Sequence, residues 1–371
     1  MREVKKALSF ILTLEFWRMG IFWTLSLAMS YFQLFWQRVC TKKPNAYPRC
    51  PPRRIGTKKP ICVITGATSG IGAAAAYDLS KEGFSCCSWY SILPPVQKLV
   101  AETHIVYAVG RSSQLLSKMI EWIHKQNKDA RVEAFEVDLS SFQSILKFKD
   151  SLEKWLLDSD MHVSIQLLIN NAGMLAASHR LTEEGYDHPV GSRIVNVTSF
   201  THRNLFNVQI DKETVAGKYL PRSKQYPFSH IYEFSKLCLL MFSYELHRQF
   251  HWPDESCKVS VIAADPGAVE TNIMRELPSC VSHMAFIALK LLGLLQSPEE
   301  GASSVIDAAL APPEISGVYF FGGKGRTLNS SALSRNIRLA EKLWRSSDDL
   351  FLESKLICDR TYTDTLHELK D

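Results

Sequence analysis

Apolar residues fall into short runs that are separated by polar and amphipathic stretches along most of the chain. The run ICVIT at residues 61–65 is rich in β-branched residues, which favours a buried strand. An alanine-rich stretch that ends at Gly83 predicts a helix directly after it. Similar apolar runs at IVYAVG, VEAFEV, QLLIN and RIVNV predict four more strands. In a chain of 371 residues, this pattern favours one large α/β domain or two ordinary ones.

The N-terminal 40 residues differ from this pattern. Residues 19–37 carry no charge and contain tryptophans and a tyrosine that suit a membrane interface. About 20 apolar residues span a bilayer core, so we predict a transmembrane anchor over residues 1–40. A secretory signal is disfavoured because no A-x-A-like site follows the long apolar run. Glu15 and Arg18 are expected to pair on one helix face, and a buried core helix is the alternative to the anchor.

A basic, proline-rich segment follows at residues 41–59, with the sequence TKKPNAYPRCPPRRIGTKK. It contains lysines and arginines but no acid, which favours a cytosolic position for the downstream chain. We therefore predict an extended linker that could touch anionic lipid, followed by a globular domain over residues 60–371. The expected membrane is the endoplasmic reticulum, and a plastid envelope is the alternative.

Composition limits the possible functions. With 46% hydrophobic and 22% charged residues the chain is globular, and its net charge of +5 gives no reason to expect nucleic acid binding. Its nine cysteines have no regular spacing and form no CxxC pair. This pattern favours reduced thiols in a cytosol-facing compartment, and it predicts no zinc site.

The strand predicted at residues 61–65 leads into a glycine-rich turn, GATSGIG. Glycines at positions 66, 70 and 72 allow a tight turn and let the backbone approach a pyrophosphate. The amide groups and dipole at the start of the next helix favour an anion there. Strand, glycine turn and helix in this order predict a dinucleotide site, to which we assign Gly66, Ser69, Gly70, Ile71 and Gly72.

Three residues at the ends of later strands are candidate cofactor contacts. Arg111 ends the second predicted strand, where it would pair with a ribose 2′-phosphate and favour NADP over NAD. A solvated arginine at a helix start is the alternative for this residue. Asp138 ends the third strand, a usual position for an adenine contact, and Asn171 ends the fourth.

The segment YEFSK at residues 232–236 places a phenol and an ammonium one helical turn apart. A nearby ammonium favours the phenolate, so we expect Lys236 to lower the pKa of Tyr232 from its usual value of about 10. A phenol tuned in this way can act as a general acid and base. The same spacing occurs by chance in many helices, so the pair alone does not identify an active site.

Six motifs occur in a fixed order: TGATSGIG, DLSS, NNAG, VNVTS, YEFSK and ADPGAVET. Together they resemble the short-chain dehydrogenase/reductase superfamily, over residues 59–323. The long stretch between VNVTS and YEFSK is similar to the retinol-dehydrogenase and protochlorophyllide-reductase branch. The chain also resembles plant proteins related to the dehydrogenase/reductase on chromosome X. The resemblance implies an α/β fold with a Rossmann-type, doubly wound parallel sheet.

The resemblance assigns three catalytic residues, Ser199, Tyr232 and Lys236. Tyr232 would pass a proton to or from the substrate oxygen while a hydride moves to or from the nicotinamide. Ser199 would hydrogen-bond the substrate oxygen. Lys236 would lower the pKa of Tyr232 and hold the nicotinamide ribose.

The motif ADPGAVET implies further cofactor contacts. Pro266 and Gly267 would pass close to the nicotinamide, and Thr271 would bind a phosphate or the carboxamide. The stretch that follows, residues 271–296, is apolar, which indicates a lipophilic substrate or contact with a membrane. A pair of ordinary packing helices is the alternative.

The chain departs from the family pattern in two places. Residues 84–104 insert about twenty residues before the second strand, and the Pro94-Pro95 pair in them predicts a loop or translated non-coding sequence. Between strands four and five, residues 174–192 offer no apolar helical face, so the crossover helix is apparently missing. In the family that helix carries a catalytic asparagine, so we expect weak or absent turnover. A splice variant or an exon-prediction error would explain both departures.

The main hypothesis is therefore a membrane-anchored NADP(H)-dependent oxidoreductase that interconverts a lipophilic alcohol and its carbonyl. One alternative is a catalytically impaired splice form or remnant that binds dinucleotide or a partner without turnover. Another is a membrane adaptor that uses the basic linker. The substrate, the reaction direction and the oligomeric state stay open at this point.

Overall fold

Strands and helices alternate along most of the chain. The computed structural model describes residues 8, 10–40, 46–51, 60–82, 85–87, 104–110, 112–126, 128, 130–139, 141–158, 165–173, 193–217, 227–251, 259–275 and 277–368. The strands are β1 Ile61–Thr65, β2 Ser85–Cys87, β3 His104–Gly110, β4 Ala130–Glu136, β5 Leu167–Asn170, β6 Arg193–Val197, β7 Ser260–Asp265, β8 Ala268–Val269, β9 Leu295–Gln296 and β10 Val318–Phe321. The helices are α1 Leu14–Cys40, α2 Gly70–Lys81, α3 Ser113–Gln126, α4 Phe142–Asp158, α5 Lys212–Val215, α6 Phe228–His251, α7 Ser279–Leu291, α8 Pro298–Ala309 and α9 Ile337–Glu368.

The centre of the molecule is an eight-stranded sheet with the order β10-β7-β6-β5-β1-β2-β4-β3. Neighbouring strands in this sheet pair in parallel, and β8 and β9 form a separate short pair. The chain starts at the middle with β1, builds one half through β2 to β4, and then builds the other half from β5 onward. The predicted Rossmann-type, doubly wound parallel sheet is therefore confirmed.

Side chains of β1 show why this run of residues forms a central strand. All five residues of β1 are buried, and the first four alternate between two apolar clusters on opposite faces of the sheet. Cys62 and Ile64 pack with α2, α3 and α8, whereas Ile61 and Val63 pack with α4. A strand that is buried on both faces needs a continuous apolar run, and ICVIT supplies one.

A buried arginine holds β6 against α8. The Arg193 guanidinium donates to the carbonyl oxygens of Ala308, Ala309 and Pro312 at 3.2, 3.0 and 2.8 Å. It also donates to the Ser260 hydroxyl at 2.8 Å. The last carbonyl groups of a helix have no partner within that helix. Arg193 therefore caps the end of α8 and positions the strand that leads to Ser199.

The two departures from the family pattern fall largely outside the described residues. Residues 88–103 and 174–192 are not among them, so the predicted insertion and the predicted loss of a crossover helix stay predictions. The predicted loop is nevertheless wrong at its start, because Ser85–Cys87 is a strand that pairs with β1 and β4. Free backbone groups at the edge of β1 favour pairing over a loop there.

The N-terminal apolar run forms helix α1, and the transmembrane anchor predicted there stays a prediction. Among the described residues, every helix falls short of the length or apolar character that a membrane span requires. One face of α1 carries Met19, Leu27 and Leu34, which are buried against the rest of the molecule. The expected Glu15–Arg18 pair is confirmed, with the charged atoms 3.5 Å apart.

Part of the basic segment also packs on the domain. Ala46 forms an isolated bridge with Arg326, and the Cys50 amide donates to the Leu310 carbonyl at 2.6 Å. The Arg49 guanidinium contacts the buried Asp307 carboxylate at 2.6 Å. These contacts attach the segment at its middle. The division into an anchor at 1–40, a linker at 41–59 and a domain at 60–371 stays a prediction.

Candidate active site

A cavity of ≈ 1440 Å³ lies at the carboxyl ends of β1, β5, β6 and β7. Small-molecule pockets usually measure about 300–1,000 Å³, so this one has room for two molecules side by side. In open α/β sheets, ligands bind outside the carboxyl ends of the strands where the strand order reverses. The described site residues predicted from the sequence all line this cavity: Gly66, Ser69, Gly70, Ile71, Gly72, Asp138, Asn171, Ser199, Tyr232, Lys236, Pro266, Gly267 and Thr271.

The glycine turn forms one end of the cavity, and two of its glycines leave no room for a side chain. A Cβ atom at Gly72 would lie 2.4 Å from the Gly66 carbonyl oxygen and 2.4 Å from Asn171 Nδ2. Gly66 has a φ of +67°, and a Cβ there would lie 2.8 Å from Ala172 Cα. Glycine is therefore required both for the backbone conformation and for the close approach of neighbouring strands.

Asn171 supports the turn with its side chain. Its Nδ2 donates to the Thr65 carbonyl at 2.9 Å and to the Gly66 carbonyl at 3.2 Å. The Thr65 hydroxyl in turn accepts from the Asn171 and Ala172 amides, both at 3.0 Å. The geometry thus gives Asn171 the role of holding the turn, alongside its position on the cavity wall.

The start of α2 faces the cavity. Ser69 occupies the N-cap position with no side-chain hydrogen bond to the helix, and Ile71 lies within the first turn. No acid is present in that turn, so the partial positive charge of the helix start is not offset locally. This end of the cavity can therefore hold a phosphate group.

The remaining predicted cofactor contacts lie at neighbouring strand ends. Asp138 follows β4, while Pro266 and Gly267 follow β7. Thr271 caps a short 3-10 turn by accepting from the Ile273 amide at 3.4 Å, and its side chain lies against Gly70. Arg111 falls outside the described residues, so its predicted role stays a prediction.

The catalytic helix α6 brings Tyr232 and Lys236 to the cavity. Both side chains are half-buried, and the Lys236 Nζ atom lies 5.7 Å from the centre of the Tyr232 ring. The same Nζ donates to the Val197 carbonyl at 2.8 Å. That contact ties α6 to the end of β6, next to Ser199.

Ser199 lies between β6 and a 3-10 turn at Phe200–Asn204, and its hydroxyl accepts from the Thr201 amide at 3.4 Å. Its carbonyl oxygen is 2.7 Å from Nδ1 of the buried His202. The Ser331 amide donates to His202 Nε2 at 3.2 Å, so Nδ1 carries the proton and donates to Ser199. Burial lowers the pKa of His202 to about 3, which keeps this imidazole neutral.

The direction of the Tyr232 pKa differs from the prediction. Burial raises the pKa of Tyr232 well above its usual value, and the hydrogen bond from Ser199 opposes this only in part. Burial also lowers the pKa of Lys236 to about 8, against an opposing effect of Asp265. Desolvation penalises both charged forms, and it outweighs the attraction between ammonium and phenolate on which the prediction relied.

Sequence reasoning missed a buried acid beside the catalytic residues. Asp265 ends β7 inside the motif ADPG, and its carboxylate accepts from the Tyr319 hydroxyl at 2.5 Å and from the Gly267 amide at 2.8 Å. Burial raises the pKa of Asp265 to about 6. The signal available in the sequence was an acid that ends a largely apolar strand, VIAAD, directly before Pro-Gly.

Residues of α1 also reach the active site, which the sequence did not suggest. The Trp23 ring lies 5.4 Å from the Tyr232 ring, and Trp23 Nε1 donates to the Glu233 carboxylate at 2.7 Å. Met19 and Leu27 of the same helix line the cavity. Helix α7 contributes Met284 and Leu289 to the lining. This second end of the cavity is therefore apolar.

No family model matches the chain, but individual proteins are similar to it over most of its length. The "Dehydrogenase/reductase SDR family member FEY" of Arabidopsis thaliana is 27% identical over 327 residues, which cover 78% of this chain and 77% of the relative. The human "Polyprenol dehydrogenase" is 26% identical, covering 82% and 87%. The mouse "Retinol dehydrogenase 12" is 25% identical, covering 78% and 85%.

The fold has solved counterparts. The crystal structure of an uncharacterised protein from Mycobacterium paratuberculosis superposes with a TM-score of 0.51 at 22% identity, covering 80% of this chain and 96% of the other. The order of strands, the glycine turn, the Tyr232–Lys236 pair and the named relatives all agree with the resemblance that the motifs indicated. The chain is therefore similar to members of the short-chain dehydrogenase/reductase superfamily, with retinol dehydrogenases among these relatives.

Proposed function

We propose that this protein is an NADP(H)-dependent oxidoreductase that interconverts a lipophilic alcohol and its carbonyl. The observation that carries the proposal is the meeting of Ser199, Tyr232 and Lys236 in one cavity between the glycine turn and an apolar wall. A proton donor, a hydrogen-bond donor and a cation there suit chemistry at an oxygen atom.

A dinucleotide fits the polar end of the cavity. Gly66 and Gly72 leave the space that a side chain would fill, and the start of α2 favours a pyrophosphate. Pro266, Gly267 and Thr271 would hold the nicotinamide end, and Arg111 would pair with a 2′-phosphate. When bound, the nicotinamide supplies or accepts a hydride.

The side chains of this protein would manage the proton. Burial favours the protonated form of Tyr232, so its hydroxyl can donate to a carbonyl oxygen during reduction. Ser199 lines the same cavity as Tyr232, and its hydroxyl would donate to the same oxygen. Lys236 is anchored on the Val197 carbonyl and would bind the ribose hydroxyls with its remaining protons.

The apolar end of the cavity supports a lipophilic substrate. Helices α1 and α7 line it with methionine, leucine and tryptophan side chains. Relatives named polyprenol dehydrogenase and retinol dehydrogenase have long apolar alcohols in their names, which agrees with this chemistry.

We also propose association with a membrane surface through α1. The face of α1 that points away from the domain is apolar, and α7 adds exposed apolar residues beside it. A contiguous exposed apolar surface of this kind marks an interaction site. The endoplasmic reticulum with the domain facing the cytosol is the proposed location, and relatives named chloroplastic support a plastid envelope as the alternative. The exposed residues are Ile21, Phe22, Leu25, Met29, Phe32, Phe35, Trp36, Val39, Met284, Ile287 and Leu291.

The decisive experiment measures NADPH oxidation by the purified full chain with a panel of lipophilic aldehydes and ketones. We expect turnover that is weak, as the missing crossover helix predicts, and that Tyr232→Phe lowers further by about 10²–10⁴-fold, because the proton donor is lost while NADPH binding is kept. Tyr244→Phe is the matched control, since this tyrosine lies on the same helix with its hydroxyl on Ser330 at 2.8 Å.

Two outcomes would contradict the proposal. NADPH binding without turnover of any carbonyl would indicate a dinucleotide-binding remnant. Vesicle binding without NADPH binding would indicate a membrane adaptor.

A further inference from the structure

Helix α1 is joined to the catalytic helix through one buried carboxylate. Glu233 follows Tyr232 in α6, and its side chain is 0% exposed. It accepts from Trp23 Nε1 at 2.7 Å and from Arg18 Nη2 at 2.8 Å, both on α1. Asn204 Nδ2 approaches the same carboxylate at 3.3 Å. A buried charge is strongly unfavourable unless it is paired and hydrogen-bonded, so Glu233 requires α1 in this position.

Polar contacts on both sides of this carboxylate fix the register of α1. The Ser26 hydroxyl hydrogen-bonds the Asn204 side chain, and Arg18 Nη2 also donates to the Ser229 hydroxyl at 2.8 Å. A helix held only by apolar contacts could slide or rotate, whereas these directional bonds allow one placement. The placement determines which α1 side chains face the cavity.

The same helix reaches the loop after β7. Gln296 Nε2 donates to the Tyr31 hydroxyl at 3.0 Å and to the Pro266 carbonyl at 2.9 Å. Pro266 lines the cavity next to Gly267, where the proposed nicotinamide end would lie. Helix α1 therefore contacts both the proton donor and the loop for the cofactor.

Trp23 is the α1 residue nearest to the proposed chemistry. Its ring lies 5.4 Å from that of Tyr232 with an angle of 39° between the planes, and both residues line the cavity. When a substrate oxygen hydrogen-bonds the Tyr232 hydroxyl, the substrate carbon atoms next to that oxygen lie close to the side chains packed on Tyr232. The indole is held by its own N–H bond to Glu233, so it presents a rigid, flat, apolar wall.

We propose that Trp23 is a positioning and specificity-determining residue, held in place by the Glu233–Arg18 pair. It orients the Tyr232 ring and selects substrates with a flat, unsaturated group next to the carbonyl. This inference rests on the proposed oxidoreductase function. It assigns to α1 a part of the active-site wall, in addition to any contact of its outer face with lipid.

The test compares two aldehydes that differ in one double bond, cinnamaldehyde and 3-phenylpropanal. The ratio of their kcat/KM values is measured for the wild type, Trp23→Phe, Trp23→Ala and Trp36→Ala. Intrinsic reactivity is the same for every variant, so a change in the ratio reports the enzyme. Trp36 is the matched control because it is the same residue type on the outer face of α1, 57% exposed.

We expect Trp23→Ala to lower kcat/KM for cinnamaldehyde about tenfold. The ratio of the two kcat/KM values should then approach the ratio of the intrinsic reactivities of the two aldehydes. Trp23→Phe keeps a ring and should give an intermediate value. The KM for NADPH should stay within about twofold, because the glycine turn is untouched. Equal ratios for the wild type, Trp23→Ala and Trp36→Ala would overturn the inference.

Hydrogen exchange tests the attachment separately from turnover. Glu233→Gln removes the charge with little change in shape, and it should increase amide exchange in residues 19–34 but not in α8. Unchanged exchange would overturn the role of the Glu233–Arg18 pair. If the wild type binds NADPH but reduces neither these aldehydes nor any other in the panel, the proposed function fails first and the specificity role fails with it.

Discussion

The two ends of the cavity are built in different ways. The end that would hold the cofactor is formed mainly by backbone atoms of the glycine turn at residues 66–72. This turn packs against Asn171 and Ala172. The other end consists of large side chains from α1 and α7. Contacts at the first end follow directly from a strand, a turn and a helix that are adjacent in sequence. The contact between Trp23 and Glu233 at the second end joins residues 210 positions apart.

This difference shows where function can be inferred from short motifs. Backbone amides bind a pyrophosphate through geometry that a few glycines permit, so the motif itself carries the chemistry. A wall made of side chains depends on which distant segment of the chain packs there, and many different apolar sequences can form such a wall. Mutations can change one end of the cavity and leave the other intact.

Gly72→Ala should prevent NADPH from binding at the cofactor end of the cavity. The added Cβ would lie 2.4 Å from the Gly66 carbonyl oxygen, which is backbone and cannot move aside without opening the turn. We expect the Kd for NADPH to rise about 100-fold or more, measured by fluorescence titration. Gly293→Ala is the control, because its φ of +68° is strained but nothing lies within 4 Å of the added atom. Equal NADPH binding by the two variants would contradict the assignment of the turn.

The two faces of α1 can be separated by mutation. The triple variant Leu25→Ser, Phe32→Ser and Phe35→Ser changes only side chains that are exposed. We expect binding to lipid vesicles to fall about 100-fold from the lost apolar area, with turnover unchanged. Deletion of residues 1–40 should release the protein from membranes and also lower turnover, because it removes Trp23. Persistent pelleting of the deletion variant with membranes would contradict the proposed surface.

Arg111→Asp tests the specificity of the cofactor end. Loss of a charged hydrogen bond to a 2′-phosphate should change the ratio of NADPH to NADH affinity by about 10–100-fold in favour of NADH. Lys118→Asp makes the same change of charge at an exposed position of α3 and should leave the ratio unaltered. If Arg111→Asp leaves the ratio unaltered as well, cofactor choice lies elsewhere.

The pH dependence of cofactor binding should reflect Lys236. Its pKa of about 8 means that the ammonium is present below that pH and is lost as the pH rises through it. Fewer protons remain to bind ribose hydroxyls, so the Kd for NADPH should rise about five- to tenfold between pH 7 and pH 9. Lys236→Met should bind NADPH weakly with no such step. A wild-type profile that is flat over this range would contradict the role given to Lys236.

Much of the fold was accessible from local pattern. The apolar run at residues 61–65, the glycines after it and the helix that follows are adjacent, and each rests on backbone geometry that the residue types themselves favour. The spacing of Tyr232 and Lys236 likewise places both on one face of any helix. The strand at residues 85–87 was missed because such a short strand forms by pairing with the edge of β1, and its own three residues do not indicate a strand.

The glycine turn and the placement of Tyr232 and Lys236 on one helix face could be predicted from neighbouring residues, and the doubly wound parallel sheet followed from the family resemblance. The packing of the N-terminal helix on the domain could not be predicted in this way, because an apolar run suits both a bilayer and a protein surface. The structure also decided the direction of the Tyr232 pKa, which depends on how far burial outweighs the charge of Lys236. Burial is a property of the whole fold, and a spacing of four residues does not contain it.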